Sequence, residues 1–335
     1  MVSERSSRAK RLRDRRAVRS KQLTKLIRWF RHSMTLRSVI REMAPMLSIL
    51  FIAMIYSLLA DTLAAEQTPV FRSATRGVPV YATVIGPDGR MLLHLDRDAF
   101  TVLDNGQVRP ISVFSNDPAP IVGLTLWDVT SALGRHRHDS WQAALALVQA
   151  LWAEDRIRFG TFSFHEFFVS PVQTGNKATL RRIVEEELWF TSGISIPLWA
   201  ALSPALKILA TDEGRRVLVL LTAGKSEFDP GSWEDVVRQV QRTDAMIYVI
   251  GFRNPGLTRK VRELAEESGG GYAELPEGAD LGVEFERIVA ELHHQYLIGF
   301  VSNVSDGSLR TVEVRVNVPG AKVRARRSYV AAGVR

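Results

Sequence analysis

Asp128 closes the apolar run Leu124-Thr125-Leu126-Trp127, and two hydroxyls, Thr130 and Ser131, follow it. A second apolar run, Val217-Leu218-Val219-Leu220-Leu221, ends in Thr222-Ala223-Gly224 with no carboxylate. Apolar runs with polar ends read as buried parallel strands, and the carboxyl ends of such strands form the binding crevice of an open α/β sheet. A carboxylate buried there alone is costly and needs a partner. Lys225, two residues past Ala223, is placed either to supply that partner or to point into water.

The other reactive side chains do not assemble into a catalytic pattern. The chain has no cysteine, which removes thiolate chemistry, disulfides and cysteine metal sites. Gly224-Lys225-Ser226 ends like a phosphate loop, but the glycine required five residues before Gly224 is Val219. His165-Glu166 begins like a zinc-protease motif whose second histidine is here Val169. His136 and His138 fall near the crevice mouth and read as solvated loop residues. Ser140 reads as a helix N-cap, with no histidine placed to make it a nucleophile. His293-His294 closes a helix, where imidazolium complements the helix dipole. Most tryptophans occupy apolar positions of the core; Trp189 and Trp199 flank a crevice loop and are the candidates for an exposed contact patch. With no nucleophile–base pair and no cofactor loop, the sequence points away from an enzyme.

Alternating elements must position this crevice. Strand-like runs at Val122–Trp127, Ile157–Phe164, Val217–Leu221 and Met246–Phe252 are separated by helix-like runs at Ser140–Ala153, Ala178–Leu188, Pro197–Leu209, Trp233–Arg242 and Leu257–Glu267, with another at Glu284–His293. This alternation predicts a doubly wound, mostly parallel sheet over residues 119–292 with helices on both faces. Gly269-Gly270-Gly271 suits a helix C-cap running into a short strand. Before this region, residues 78–118 carry short β-rich runs, a Pro87-Asp88-Gly89 turn and the hairpin signal Asn105-Gly106. After it, residues 293–335 return to β pattern, with strict alternation over Thr311–Val318. These strands are expected to complete a small β-sandwich begun at Val78, with the α/β domain inserted between its halves.

The charge is unevenly distributed along the 335 residues. Residues 1–43 hold 14 Lys and Arg against 3 Asp and Glu, a net of +11, so the remainder of the +8 chain is slightly acidic at −3. The basic tail, residues 1–42, abuts an uncharged apolar stretch from Met43 to Ala60. At the helical rise this stretch reaches roughly 27 Å, about the hydrocarbon thickness of a bilayer. Residues 43–62 are therefore expected to form a transmembrane helix, with 63–77 as a linker. The positive-inside rule places the N-terminus in the cytoplasm and the remainder in the periplasm or outside the cell. Cleavage as a signal peptide near Leu63-Ala64-Ala65 is the alternative, although the basic region exceeds the usual signal length. The tail reads as a lipid-facing and topological element, with no nucleic-acid partner expected.

Three motifs in order carry a family resemblance: Asp98-Ala-Phe-Thr-Val-Leu-Asp-Asn-Gly106, Asp155-Arg-Ile-Arg-Phe-Gly-Thr-Phe-Ser163 and Gln295-Tyr-Leu-Ile-Gly-Phe300. Residues 78–330 resemble the bacterial membrane-anchored or secreted proteins with a "VWFA-related" domain, and 119–292 resembles a von Willebrand factor type A domain. The resemblance implies a metal-ion-dependent adhesion site made from an Asp-x-Ser-x-Ser loop, a Thr before a helix and an Asp after a central strand. Asp128 stands at the first Asp and Thr130 at the first Ser. Ala132 stands at the second Ser, Ile196 (or Ser195, with a one-residue shift) at the Thr, and Ala223 at the second Asp. With so many oxygens missing, no cofactor is expected, neither Mg²⁺ nor another divalent cation. The implied function is membrane-anchored, extracytoplasmic binding of another protein in adhesion or assembly, through a rim holding Lys225, Trp189, Trp199, His136 and His138. The alternatives are a metal-dependent adhesin using other oxygens (Ser131, Ser195, Thr222, Asp229) and a scaffold subunit of a cell-envelope complex.

Overall fold

The computed structural model describes residues 77–332 apart from 131–136, 164–165, 188–196, 224–228, 253–257 and 277. The expected basic tail and the apolar segment 43–62 lie outside the described residues. Among those described, no helix is long and apolar enough to cross a membrane.

The first four strands are β1 (Gly77–Ile85), β2 (Phe100–Asp104), β3 (Gln107–Arg109) and β4 (Ile111–Ser115). Asn105 and Gly106 both adopt positive φ, 48° and 75°, the geometry that closes a two-residue hairpin without splaying its strands. The α/β lobe follows, with β5 (Val122–Asp128), α1 (Arg137–Ala150), β6 (Arg156–Phe162), β7 (Phe167–Val169), α2 (Lys177–Glu187), α3 (Leu198–Ala210) and β8 (Arg216–Thr222). It continues through α4 (Trp233–Thr243), β9 (Met246–Phe252), α5 (Arg259–Ser268), β10 (Tyr272–Leu275) and α6 (Leu281–His293). The chain then ends in β11 (Tyr296–Val301), β12 (Leu309–Val316), β13 (Lys322–Ala325) and β14 (Ser328–Val330).

The lobe's six strands lie in the order β10-β9-β8-β5-β6-β7, parallel except for β7, which runs antiparallel to β6. Because β8 is apolar on both faces, Val217, Val219 and Leu221 pack under α1, α2 and α6, while Leu218 and Leu220 pack under α3, α4 and α5. Continuous apolar runs are what a sheet covered on both sides demands.

The remaining strands form two four-stranded sheets, β13-β1-β11-β4 and β14-β12-β2-β3, each drawing strands from both sides of the α/β lobe in sequence. Alternation on β12 buries Val312 and Val314 and exposes Thr311, Glu313 and Arg315. The buried valines join Val80, Val102, Ile298 and Phe300 in the sandwich core. At one end of the β2–β3 hairpin Asp104 is buried, accepting hydrogen bonds from Arg310 Nε (2.7 Å), Tyr329 Oη (3.1 Å) and Arg109 Nε (3.2 Å). Burial alone would raise its pKa, but these three donors outweigh it and hold the carboxyl below its ordinary value.

Two local expectations give way to the structure. Helix α1 begins at Arg137, so Ser140 sits buried inside its first turn and does not cap it. His293 stands in the last turn of α6 as expected, but buried and not at a solvated helix end. It is 2% exposed, its ring lies flat on Trp152 with centroids 3.6 Å apart, and its Nε2 meets Asp155 Oδ2 at 2.9 Å. Leu292 and His293 face the core while Ala290 of the same turn faces solvent, so the His293 ring is held among buried side chains.

Candidate functional site

At the carboxyl edge of the parallel sheet, β5 leads toward β6 on one side and β8 adjoins it on the other. Such a switch in strand order opens a crevice, because the loops leaving the two strands diverge. Asp128 forms its floor and is 0% exposed. Its Oδ1 accepts from the Thr130 backbone N–H at 3.1 Å. Its Oδ2 accepts from the Thr222 hydroxyl at 3.1 Å and from the Ala223 N–H at 3.2 Å. Burial pushes the Asp128 carboxyl above its ordinary pKa, and hydrogen bonds from Thr130, Ala223 and Thr222 pull it back only in part.

The described floor therefore holds one carboxylate, whose oxygens already face donors of its own chain, and the Thr130 and Thr222 hydroxyls. A hard divalent cation takes six or more oxygens and needs lone pairs aimed at it. Ala223 offers an N–H where such a site wants a carboxylate. Among the described residues no three His, Cys, Asp or Glu side chains cluster as a metal site would require. These residues do not fit a divalent ion.

Asp229, one of the alternative oxygens, has another task. Its carboxylate accepts from the backbone N–H of Trp199 (2.6 Å), Ala200 (3.1 Å) and Gly231 (2.8 Å). It thus caps the N-terminus of α3 from a distant loop, occupying donors that the helix leaves unsatisfied. A Cβ on Gly231 would stand 2.1 Å from the Ala200 nitrogen, so that position must be glycine.

The rim separates into described and undescribed parts. Ser131, Ala132, His136, Trp189, Ser195, Ile196 and Lys225 lie outside the described residues. His138 is exposed on the first turn of α1, 6.4 Å from the Trp141 ring. Trp199 does not belong to an exposed patch. At 9% exposure it sits beneath Trp233, edge to face at 5.1 Å, because α3 turns it into the core shared with α4. Trp233, half-buried with Lys260 Nζ over its ring at 5.8 Å, is the aromatic that reaches the rim in its place.

Away from the crevice, a buried polar network joins the lobe to the sandwich. Glu291, 1% exposed, accepts at Oε1 from Tyr248 Oη (2.5 Å), Thr83 Oγ1 (3.0 Å) and Arg324, and at Oε2 from Arg287 (3.2 Å). Gln295 donates to Thr83 Oγ1 (3.0 Å) and Tyr248 Oη (3.1 Å). Arg215, buried, donates to the Ala119 carbonyl at 3.2 Å and lies over the Tyr81 ring. Asp155 receives the N–H groups of Ile121 and Trp152, each at 2.7 Å, besides His293.

A doubly wound sheet with its switch in strand order at β5 defines a domain of the open α/β class. Residues 143–282 match the von Willebrand factor type A domain family. Domains of this kind commonly bind other proteins. A comparison with curated proteins gives no match. Among solved structures the chain is similar to a von Willebrand factor type A protein from Catenulispora acidiphila, at 12% identity over 79% of this chain and 76% of that one, TM-score 0.44. It is also similar to the ArnB paralog VWA2 from Sulfolobus acidocaldarius, at 14% identity over 78% and 76%, TM-score 0.41. A third is an aerotolerance-related membrane protein from Bacteroides fragilis, at 13% identity over 52% and 98%, TM-score 0.39.

Proposed function

We propose that this chain is a membrane-anchored, extracytoplasmic binding module that engages another protein, in adhesion or assembly, through the crevice of its von Willebrand factor type A domain without a metal ion. The carrying observation is the hydrogen bonding of Asp128: its oxygens accept three donors from its own chain, where a metal-dependent site would aim them at a cation. The anchor is assigned to residues 43–62 from their apolar length and the basic tail before them. Lys225 is the proposed counter-charge for Asp128, and His138 and Trp233 the described rim contacts. No catalytic step is assigned to the crevice.

Thermal melts of the full chain in detergent test the metal-free reading. A cation at 100 times its Kd adds about 2.7 kcal/mol to the folded state, roughly 5–10 °C for a domain of this size. With Mg²⁺, Mn²⁺ or Ca²⁺ the melting temperature is expected to stay within about 1 °C of the metal-free value. A shift of the larger size that vanishes in Asp128→Ala establishes the rival, a metal-dependent adhesin.

A further inference from the structure

We propose that the β-sandwich is a tension-bearing clamp, in which β1 carries load between the N-terminal segment and the crevice, along the strand, so that its ladders resist in shear. The inference rests on the anchored-binder reading for its two points of load, but the clamp itself follows from register and connectivity. Strand β1 pairs antiparallel with β11 from Gly77↔Val301 to Ala82↔Tyr296, and with β13 from Ala82↔Ala325 to Ile85↔Lys322. The chain that precedes the described residues enters at Gly77. The two connections to the α/β lobe leave the same sheet at its other end: β4 exits after Ser115, whose partner is Leu297, and β11 begins at Tyr296 directly after α6.

Tension between the N-terminal segment and the lobe therefore pulls β1 and β11 from opposite ends of one ladder. In that geometry the hydrogen bonds of the ladder share the load and must fail together. Pulled from the same end they would open one pair at a time, each failing before the next is loaded. The inner end of β1 is also fastened to the lobe directly. Thr83, one residue past the β11 ladder, donates to Glu291 of α6 at 3.0 Å and accepts from Gln295 at 3.0 Å. Tyr81 lies under the buried Arg215 guanidinium. A load that reaches α6 or β9 thus enters β1 through side chains as well as through backbone ladders.

The chain has no cysteine, so paired cysteine handles can be placed without competing thiols. Single-molecule pulling compares two full-length variants in detergent. Ser73→Cys with Glu234→Cys spans the N-terminal segment and the exposed first turn of α4 at the crevice edge. Ser73→Cys with Asp306→Cys spans the same segment and the turn after β11, beside Val301. The expected result is a first-rupture force shifted upward in the 73/234 pair relative to the 73/306 pair. Whether the released length then corresponds to β1 or to the α/β lobe, the clamp has held beyond its unzipping force. Equal or lower force in the 73/234 pair overturns the proposal. Because no partner or metal enters the measurement, this outcome is independent of the metal-binding melts that decide the crevice reading.

Discussion

Two buried aspartates of this chain are tuned in opposite directions, and pH separates them. Asp104 is held below its ordinary pKa by Arg310, Tyr329 and Arg109 against the pull of burial. Its folded form prefers the charge, so the stability it contributes is present above the unfolded pKa of about 3.9 and is lost as pH falls through the lower folded value. Asp104→Asn removes the charge and leaves two arginines facing a neutral amide, a loss of about 2–3 kcal/mol at pH 7. Urea titrations of variant and parent are expected to converge as pH drops below 4, and a gap unchanged by pH would contradict the pairing. Asp128 is raised by burial. Here the folded state holds its proton longer than the unfolded chain, so stability falls as pH rises from the unfolded pKa to the folded one and stays reduced above it. Asp128→Asn keeps an acceptor for the Thr130 N–H and carries no charge. Its stability at pH 8 is expected within about 1 kcal/mol of the parent, with the comparison moving in the parent's favour at pH 4. A loss of several kcal/mol at pH 8 that disappears at pH 4 would mean that a cation, Lys225 or a metal, holds the ionised carboxylate.

Among the elements, those specified by local chemistry stand where the residues announce them. The runs at Val217–Leu221 and Met246–Phe252 are strands because four to seven consecutive apolar residues can be satisfied only between two helical layers. The Asn105-Gly106 turn and the Gly269 left-handed C-cap of α5, φ 79°, follow from glycine and asparagine tolerating positive φ. Helix ends fixed by tertiary partners are less legible. Helix α6 starts at Leu281, three residues before the expected Glu284, because Asp280 caps it through Gly282 and Val283. Helix α3 takes its cap from Asp229, about thirty residues later in the chain. Asp229→Ala strips three N–H groups of their acceptor and is expected to cost about 1–2 kcal/mol, read by chemical denaturation. Gly270 tests close packing: a Cβ there would stand 2.0 Å from the Ile247 carbonyl oxygen. Gly270→Ala is therefore expected to lose at least ~2 kcal/mol. A neutral result would mean that α5 and β9 do not meet as tightly as this.

At the scale of the whole molecule, the candidate site and the joint between the lobes differ in how sequence records them. Asp128 is legible because it ends an apolar run. The joint is not, because its partners are far apart along the chain: Thr83 and Glu291 by 208 residues, Asp155 and His293 by 138. No local periodicity encodes such a pair, and Glu291 reads in sequence as one more acidic residue near a helix end. In the fold it is the hub of the joint. Burial alone would raise its pKa, yet Arg324, Tyr248 and Arg287 hold it low, so its contribution fades, like that of Asp104, as pH falls. Removing one member of a buried pair leaves the other uncompensated, typically costing about 3–5 kcal/mol. The partly exposed Arg287 and Arg324 can recover some hydration, so Glu291→Ala belongs at the lower end of that range. Glu291→Gln keeps an acceptor for Tyr248 and Thr83 and is expected to lose less than the alanine variant. Since this network ties β1 and β13 of the sandwich to β9 and α6 of the lobe, the parent should unfold in one calorimetric transition. Glu291→Ala is expected to split that transition in two. The covalent links at 115–122 and 293–296 remain in the variant, so two transitions would locate the cooperativity in the buried side chains. A single transition, merely shifted, would assign it to the covalent connections that β4 and β11 make to the lobe.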